Sequence, residues 1–269
     1  MNYNTIIPDK HTFLQGLANI AKVPERLYFR GELPPERIPT VAIVGTRKPT
    51  AYGREVTYTF AYELARKGVV IISGLAFGID AIAHRAALDA NGITIAVLGN
   101  GIDAIYPYSH RKLGEEIISA GGAIISEYPA GFPAQKYTFL QRNRLISGLA
   151  DVVIVPEAAA RSGSLNTVNH ALEQGKDVFA VPGNITSSMS AGCNAIIKQG
   201  AIPLTDINDL PFDLSIGFDS VIIELIKNGI QDNDTLLKQS GMEPSDFLQQ
   251  LTLLEIDGAI HLHDGKWTA

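Results

Sequence analysis

The chain has 269 residues, 46% of them hydrophobic, and a formal net charge of −6. This length admits one large α/β domain or two smaller ones with a sizeable core, and no apolar run approaches the roughly 20 residues that a membrane helix needs. A single cysteine, Cys193, excludes an internal disulfide and a cysteine-built metal site within one chain.

The N-terminus, MNYNTIIPDKHTF, lacks the basic start and apolar centre of a signal peptide. The expectation is a soluble cytoplasmic protein. Net acidity argues at first against a nucleic-acid partner, but the charge is unevenly spread. From Leu204 onward there are twelve Asp and Glu against three Lys, which leaves sixteen acids and nineteen Lys and Arg before it. An acidic tail on a mildly basic body says more about partners than the total does.

Residues 1–35 read as a lead-in, with a short helix between His11 and Val23 and an edge strand at Leu27-Tyr28-Phe29. From there apolar runs alternate with stretches of helical length. The runs are Val41–Val44, Val69–Ser73, Thr94–Leu98, Ala123–Ser126, Val152–Val155, Val178–Val181 and a weaker Ala201–Leu204. The first helical stretch carries Val56, Phe60 and Leu64 at i, i+4 spacing, an apolar face. Strand and helix in alternation predict right-handed βαβ units and a largely parallel sheet, covered on both faces because its strands are apolar on both. The fold class expected is therefore α/β, an extended Rossmann-like domain over 36–210.

A linker follows at 211–217, and the tail, 218–269, changes character. Helices are predicted at Val221–Ile226, Asp234–Gln239 and Pro244–Glu255, with turns at Asp257-Gly258 and Asp264-Gly265 and small strands at Ala259–Leu262 and Lys266–Thr268. Three helices and a hairpin predict a winged helix.

Gly and Ser cluster where the predicted strands end: Gly45-Thr46, Ser73-Gly74, Gly99-Asn100-Gly101 and Ser162-Gly163-Ser164. In an open parallel sheet these loops gather at the carboxyl edge, where helix N-termini favour phosphate. Arg47 follows the first strand. Neither a G-x-G-x-x-G after that strand nor a G-x-x-x-x-G-K-[ST] occurs, which argues against a dinucleotide cofactor and a P-loop ATPase. A second cluster, Lys136 to Arg144, packs three cations and two aromatics into nine residues. On a helix beginning near Leu140, Arg142 and Arg144 point about 200° apart, so one can face a ligand while the other makes a structural ion pair. Phe139 can stack on an unpaired base.

Catalytic constellations are weak. His84 reads as a hydrogen-bonded structural residue, His110 as a surface one, and Cys193 as a space-filler. His261 and His263 share one strand face without a third metal ligand. Glu127 and Glu157 follow buried strands, but neither has an evident partner for acid–base work.

The stretches VAIVGTRKPTAYG, SGLAFGIDAIAH, TIAVLGNGIDAIYP, ISEYP, RNRLISGLADVVIVPEA, RSGSLNT and DVFAVPG occur in this order between about Leu27 and Leu204. In this the chain resembles the DprA/Smf family of bacterial DNA-processing proteins. The resemblance implies an extended Rossmann fold, single-stranded DNA binding, dimerisation, and loading of the RecA recombinase onto incoming DNA during natural transformation, in a family not known as enzymes; no cofactor or metal is expected. Mapped by motif, it places the DNA pocket at Gly45, Thr46, Arg47, Ser73, Gly74, Lys136, Phe139, Arg142, Arg144, Ser162, Gly163 and Ser164. Two departures touch that pocket: Leu140 stands where the family usually has Pro, and Asn166 where it usually has an apolar residue. The tail is similar to the winged helix of many members. With no Lys or Arg from Pro244 to Ile256, it is expected to contact protein rather than DNA.

The alternative is a nucleotide-processing enzyme of the phosphoribohydrolase, lysine-decarboxylase-like type. Its P-G-G-x-G-T-x-x-E motif corresponds here to Pro156-Glu157-Ala158 and Arg161–Thr167, without the paired glycines or the final Glu. A third reading is a scaffold recruited through its acidic tail, which predicts a partner but no DNA affinity.

Overall fold

In the computed structural model, residues 3–212, 221–256, 258–263 and 265–268 are described. The chain divides into two compact units, Met1–Phe212 and Asp213–Ala269. The expected linker lies, from residue 213 on, outside the described residues, as do Asp257 and Asp264, on which two expected turns fall.

The first unit is built on a nine-stranded sheet. Its strands are β1 (Asn4–Ile6), β2 (Leu27–Gly31), β3 (Thr40–Ile43), β4 (Val70–Ser73), β5 (Thr94–Leu98), β6 (Ala123–Ser126), β7 (Val152–Val155), β8 (Asp177–Ala180) and β9 (Ile202–Pro203). Their order is β1-β2-β6-β5-β4-β3-β7-β8-β9. From β6 through β9 every pairing is parallel, as the βαβ alternation predicts. The first two strands differ from expectation. Rather than lying at an edge, β2 sits between β1 and β6 and pairs antiparallel with both. The short helix expected nearby is 3-10, Thr12–Asn19, and buries Phe13, Leu14 and Leu17.

The helices of this unit are α1 (Ala51–Arg66), α2 (Ile79–Asp89), α3 (Arg111–Ser119), α4 (Lys136–Leu149), α5 (Ser164–Glu173) and α6 (Ala191–Lys198). Side chains alternate across the sheet with the period of a strand. Ile95, Val97 and Ile125 join Leu145, Leu149 and Val168 on one face, whereas Ala96, Leu98 and Ile124 join Leu113 and Ile117 on the other. The buried face of α1 is not the expected Val56–Phe60–Leu64 row. Gly53, Thr57, Ala61, Leu64 and Ala65 are buried, and Val56 and Phe60 are half-buried beside them. Small residues let α1 lie close to its neighbours, so the larger apolar ones flank the contact.

At the amino edge of the sheet, Thr40 and Asp151 tie β3 to β7. The Asp151 carboxylate accepts from Thr40 N (2.9 Å) and Thr40 Oγ1 (2.8 Å), and Arg37 pairs with the same carboxylate while donating to Leu149 O (3.0 Å). The order of the sheet reverses here: from β3 the chain runs one way through β4, β5 and β6, and later the other way through β7, β8 and β9. In such sheets a crevice opens outside the carboxyl ends of the two strands flanking the reversal.

The second unit contains α7 (Val221–Lys227), α8 (Asn233–Ser240), α9 (Pro244–Ile256) and a hairpin of β10 (His261–His263) and β11 (Lys266–Thr268). Ile222, Leu236, Phe247, Leu254, Ile260 and Trp267 form its core. The first hairpin strand starts later than expected because Ala259 N and Ile260 N still bond to Leu254 O and close α9.

Candidate nucleic-acid interface

A cleft of about 570 Å³ opens at the reversal between β3 and β7. Val44–Lys48 forms one lip, Ala159 and Arg161–Ser164 the other, and Phe139, Arg142 and Asn143 of α4 a third wall. Of the residues expected in the pocket, Gly45, Thr46, Arg47, Phe139, Arg142, Ser162, Gly163 and Ser164 line this cleft; Ser73, Gly74, Lys136 and Arg144 do not.

The β3 lip is shaped by packing. A Cβ on Gly45 would lie 2.6 Å from Ile79 Cγ1 and 2.7 Å from Glu157 O, so this glycine serves the approach of α2 and the β7 loop. The N–H of Thr46 is already donated to Glu157 O (2.9 Å), and its carbonyl accepts from Ile79 N (3.1 Å). The fixed backbone leaves Arg47 and Lys48 exposed at the rim. Thr50 then caps α1, its Oγ1 accepting from Gly53 N (3.2 Å). Glu157 reinforces the cap by accepting from Thr50 N (2.8 Å) and Thr50 Oγ1 (2.6 Å), a carboxylate placed where the helix dipole favours it.

Across the cleft, Ser162-Gly163-Ser164 opens α5, with Ser162 Oγ 2.7 Å from Ser164 Oγ. Exposed Arg161 precedes them. The first N–H groups of α5 are already donated, Ser164 N to Ser162 Oγ (3.4 Å), Leu165 N to Ser162 O (3.2 Å) and Asn166 N to Gly163 O (3.2 Å), so it is the hydroxyls, the exposed cation and the positive end of the helix dipole that form an anion-receiving surface. Arg161, Asn143 and Met189 line the cleft without having been picked out from the sequence. For Arg161 a signal was available, since it is a cation directly before a Ser-Gly-Ser helix start.

The third wall starts earlier than expected. Helix α4 begins at Lys136 rather than near Leu140, because Gln135 and Thr138 cap it reciprocally: Gln135 N donates to Thr138 Oγ1 (3.2 Å), which donates to Gln135 O (2.8 Å). Lys136 is exposed at this start, outside the cleft. Arg142 and Arg144 do diverge. Arg144 turns away and pairs with Glu127 at 2.6 Å, so both are held by a structural ion pair. Arg142 faces the cleft but is only 4% exposed. Its guanidinium donates to Gly74 O (2.8 Å), to Val97 O and, through Nε, to Asn143 Oδ1 (3.2 Å). It therefore binds together the ends of β4 and β5. Burial lowers its pKa to about 10, still charged at neutral pH.

Two glycine and serine positions gain structural reasons from this. A Cβ on Gly74 would lie about 2.5 Å from the Arg142 guanidinium, so Gly74 makes room for that cation. Ser73 is fully buried and donates to Ile43 O (2.6 Å), a strand-to-strand link. Asp80 does not cap α2 as its position suggests; Gly78 occupies the N-cap, with φ +78°. Asp80 reaches back to accept from Gly74 N (3.1 Å) and Ala76 N (3.3 Å). Burial raises its pKa, opposed by the charge of Arg142. Asn166 also finds a partner, accepting from Asn143 Nδ2 (3.1 Å). This orients the Asn143 amide so that its oxygen receives Arg142.

His84 is fully buried, with Nδ1 2.7 Å from Thr94 Oγ1, which donates onward to Ile71 O. Nδ1 thus carries the proton of a neutral ring, and burial lowers its pKa to about 3. The unfolded chain takes up a proton at His84 below about pH 6.5 that the folded protein refuses until about pH 3, so the stability this group contributes is complete above 6.5 and falls with pH. Urea midpoints measured at about pH 7 and about pH 5 should show a smaller drop in His84→Gln than in the parent. Cys193 is buried, its thiol pushed up to about 12 by burial. Among the described residues, no group of three or more His, Cys, Asp or Glu could hold a metal, and no helix is long and apolar enough to cross a membrane.

Fold and cleft define a Rossmann-type α/β domain whose switch-point crevice is rimmed by cations and has an aromatic in one wall. Residues 4–215 match the family of DNA recombination-mediator protein A, and the chain belongs to that family. It is 44% identical to Protein Smf of Escherichia coli over 80% of this chain and 58% of that protein, and 38% identical to the putative DNA processing protein DprA of Mycobacterium tuberculosis over 84% and 63%. The chain thus spans about three fifths of the length of these relatives. Among solved structures, DNA processing protein A of Streptococcus pneumoniae superposes with a TM-score of 0.70 at 39% identity, covering 77% of this chain and 72% of that one. The Helicobacter pylori protein, whose structure addresses its single-stranded DNA binding mode, gives 0.68 at 35%, covering 78% and 94%.

Proposed function

We propose that the protein is a non-catalytic single-stranded DNA-binding recombination mediator that protects incoming DNA in the cytoplasm and loads RecA onto it. The observation that carries this reading is the switch-point cleft, with Arg47, Lys48 and Arg161 on its rim, the start of α5 in one lip and Phe139 in the wall. Cations and the positive end of a helix dipole suit phosphates, and an aromatic face suits a base of any identity. Family membership and the DNA bound by the Helicobacter pylori relative support it.

The occupancy of Glu157 favours this reading over a nucleotide hydrolase. Its carboxylate is engaged by Thr50 and sits against Gly53, where a Cβ would lie 2.4 Å from Oε2. A general base needs a free lone pair aimed at substrate. The second unit, with three helices and a hairpin, we read as a winged helix; the absence of cations along α9 supports contact with protein rather than DNA. A homodimer would place two clefts on one strand and raise avidity.

The test is a salt-dependent binding titration of the full chain with single-stranded and duplex oligonucleotides. Single strands should bind more tightly, with affinity falling steeply with salt and little dependence on sequence. Salt-independent binding, or release of free adenine from AMP, would overturn the reading.

A further inference from the structure

We propose that Tyr106 is a second stacking platform, which with Phe139 holds two successive bases of a single strand at the mouth of the cleft. This rests on the reading of the cleft as a single-stranded DNA site.

The two rings adjoin, with centroids 5.4 Å apart and planes tilted by 37°. Their surroundings differ. Phe139 is held from within: a Cβ on Gly99 would lie 2.7 Å from its Cδ1, and Arg142 Cζ lies 5.9 Å from its ring centroid. Tyr106 is 52% exposed. It joins neither of the apolar clusters described on the two faces of the sheet, although its neighbour Ile105 is buried in one of them. A half-exposed ring set beside a cleft aromatic is placed for a partner that arrives from solvent.

The segment carrying Tyr106 is pinned on several sides. Asn100 Nδ2 donates to Ala104 O (2.6 Å), Ser126 Oγ donates to Asn100 O (2.6 Å), and Gly101 N donates to Phe132 O (2.9 Å). Asn100 is itself buried. The ring is thus presented by a preorganised loop, which lowers the ordering cost of stacking. Because every base has a π-face, such a platform adds affinity without sequence preference or phosphate contact.

The experiment uses the full chain and oligothymidylates with one 2-aminopurine placed at successive positions. Tyr106→Ala should weaken binding about tenfold and leave the salt slope unchanged, while Tyr106→Phe binds like the parent. Stacking should quench 2-aminopurine at two adjacent positions in the parent and at one in Tyr106→Ala. Tyr106→Leu, which keeps bulk without the π-face, should show the same loss and covers the case in which the alanine variant does not fold. Parent-like affinity and quenching in Tyr106→Leu, with Arg47→Glu inactive, would overturn the platform and leave the cleft standing. Parent-like affinity in Arg47→Glu as well would mean that the cleft reading itself has failed.

Discussion

Arg47→Glu is expected to abolish nearly all single-stranded DNA binding, raising the dissociation constant on the order of a hundredfold at moderate salt. The side chain is exposed at the cleft rim, directly after the loop in which Thr46 is bonded on both sides to α2 and to the β7 loop. Its position is therefore set by backbone that the substitution does not touch. On the proposed reading, reversal would remove one phosphate partner and put a like charge against the strand, so the salt slope should also become shallower, by about 0.7 for each phosphate lost. The melting temperature should stay within a degree or two of the parent, since exposed substitutions away from caps and networks cost little. Lys136→Glu, outside the cleft at the start of α4, tests how far the strand extends. Unchanged affinity in Arg47→Glu would sink the assignment of the cleft, whatever Lys136→Glu does.

Arg142→Ala should act on the fold first, with a loss of about 3–5 kcal/mol read from urea denaturation. The guanidinium is the shared donor for Gly74 O, Val97 O and Asn143 Oδ1, and its charge offsets the buried Asp80. Truncation would strand these acceptors in the interior, and leaving buried polar groups unpartnered costs more than their hydrogen bonds contributed. Arg142→Lys distinguishes positioning from phosphate contact. A single ammonium cannot reproduce the planar fork, so stability should fall. The charge remains, and because Arg142 is buried rather than offered to the strand, affinity should drop with an unchanged salt slope. A slope that shallowed as in Arg47→Glu would instead make Arg142 a phosphate ligand.

Much of the sheet was legible because buried parallel strands are continuous apolar runs. The runs read one residue long at Val44 and Val181 because these N–H groups still bond to Ile154 O and Val155 O beyond the paired ladder. What was not legible is what depends on distant partners. The three residues of β1 carry no usable period, and the insertion of β2 beside β6 is decided by pairings such as Phe29 with Ile125. The same limit applies to the site. Residue type marked Ser73, Gly74, Arg142 and Arg144 as able to meet phosphate. Only the fold shows that Ser73 is consumed by Ile43 O, Gly74 by the bulk of Arg142, and Arg144 by Glu127. Arg47, Ser162 and Ser164 do line the cleft, a placement that follows from local position at strand and helix ends.

The placement of β3 between β4 and β7 also bears on when the cleft can exist during synthesis. Thr40 and Asp151, which tie the flanking strands, are 111 positions apart. Until β7 has left the ribosome, β3 has one bare side, and unpaired strand edges of this kind recruit other chains. Non-local parallel pairing is also intrinsically slow. A chain stopped near residue 150 would hold Arg47 and Phe139 yet lack the opposite lip. It should therefore be aggregation-prone and unable to form the complete cleft, which should mature only after more than half of the polypeptide has been made.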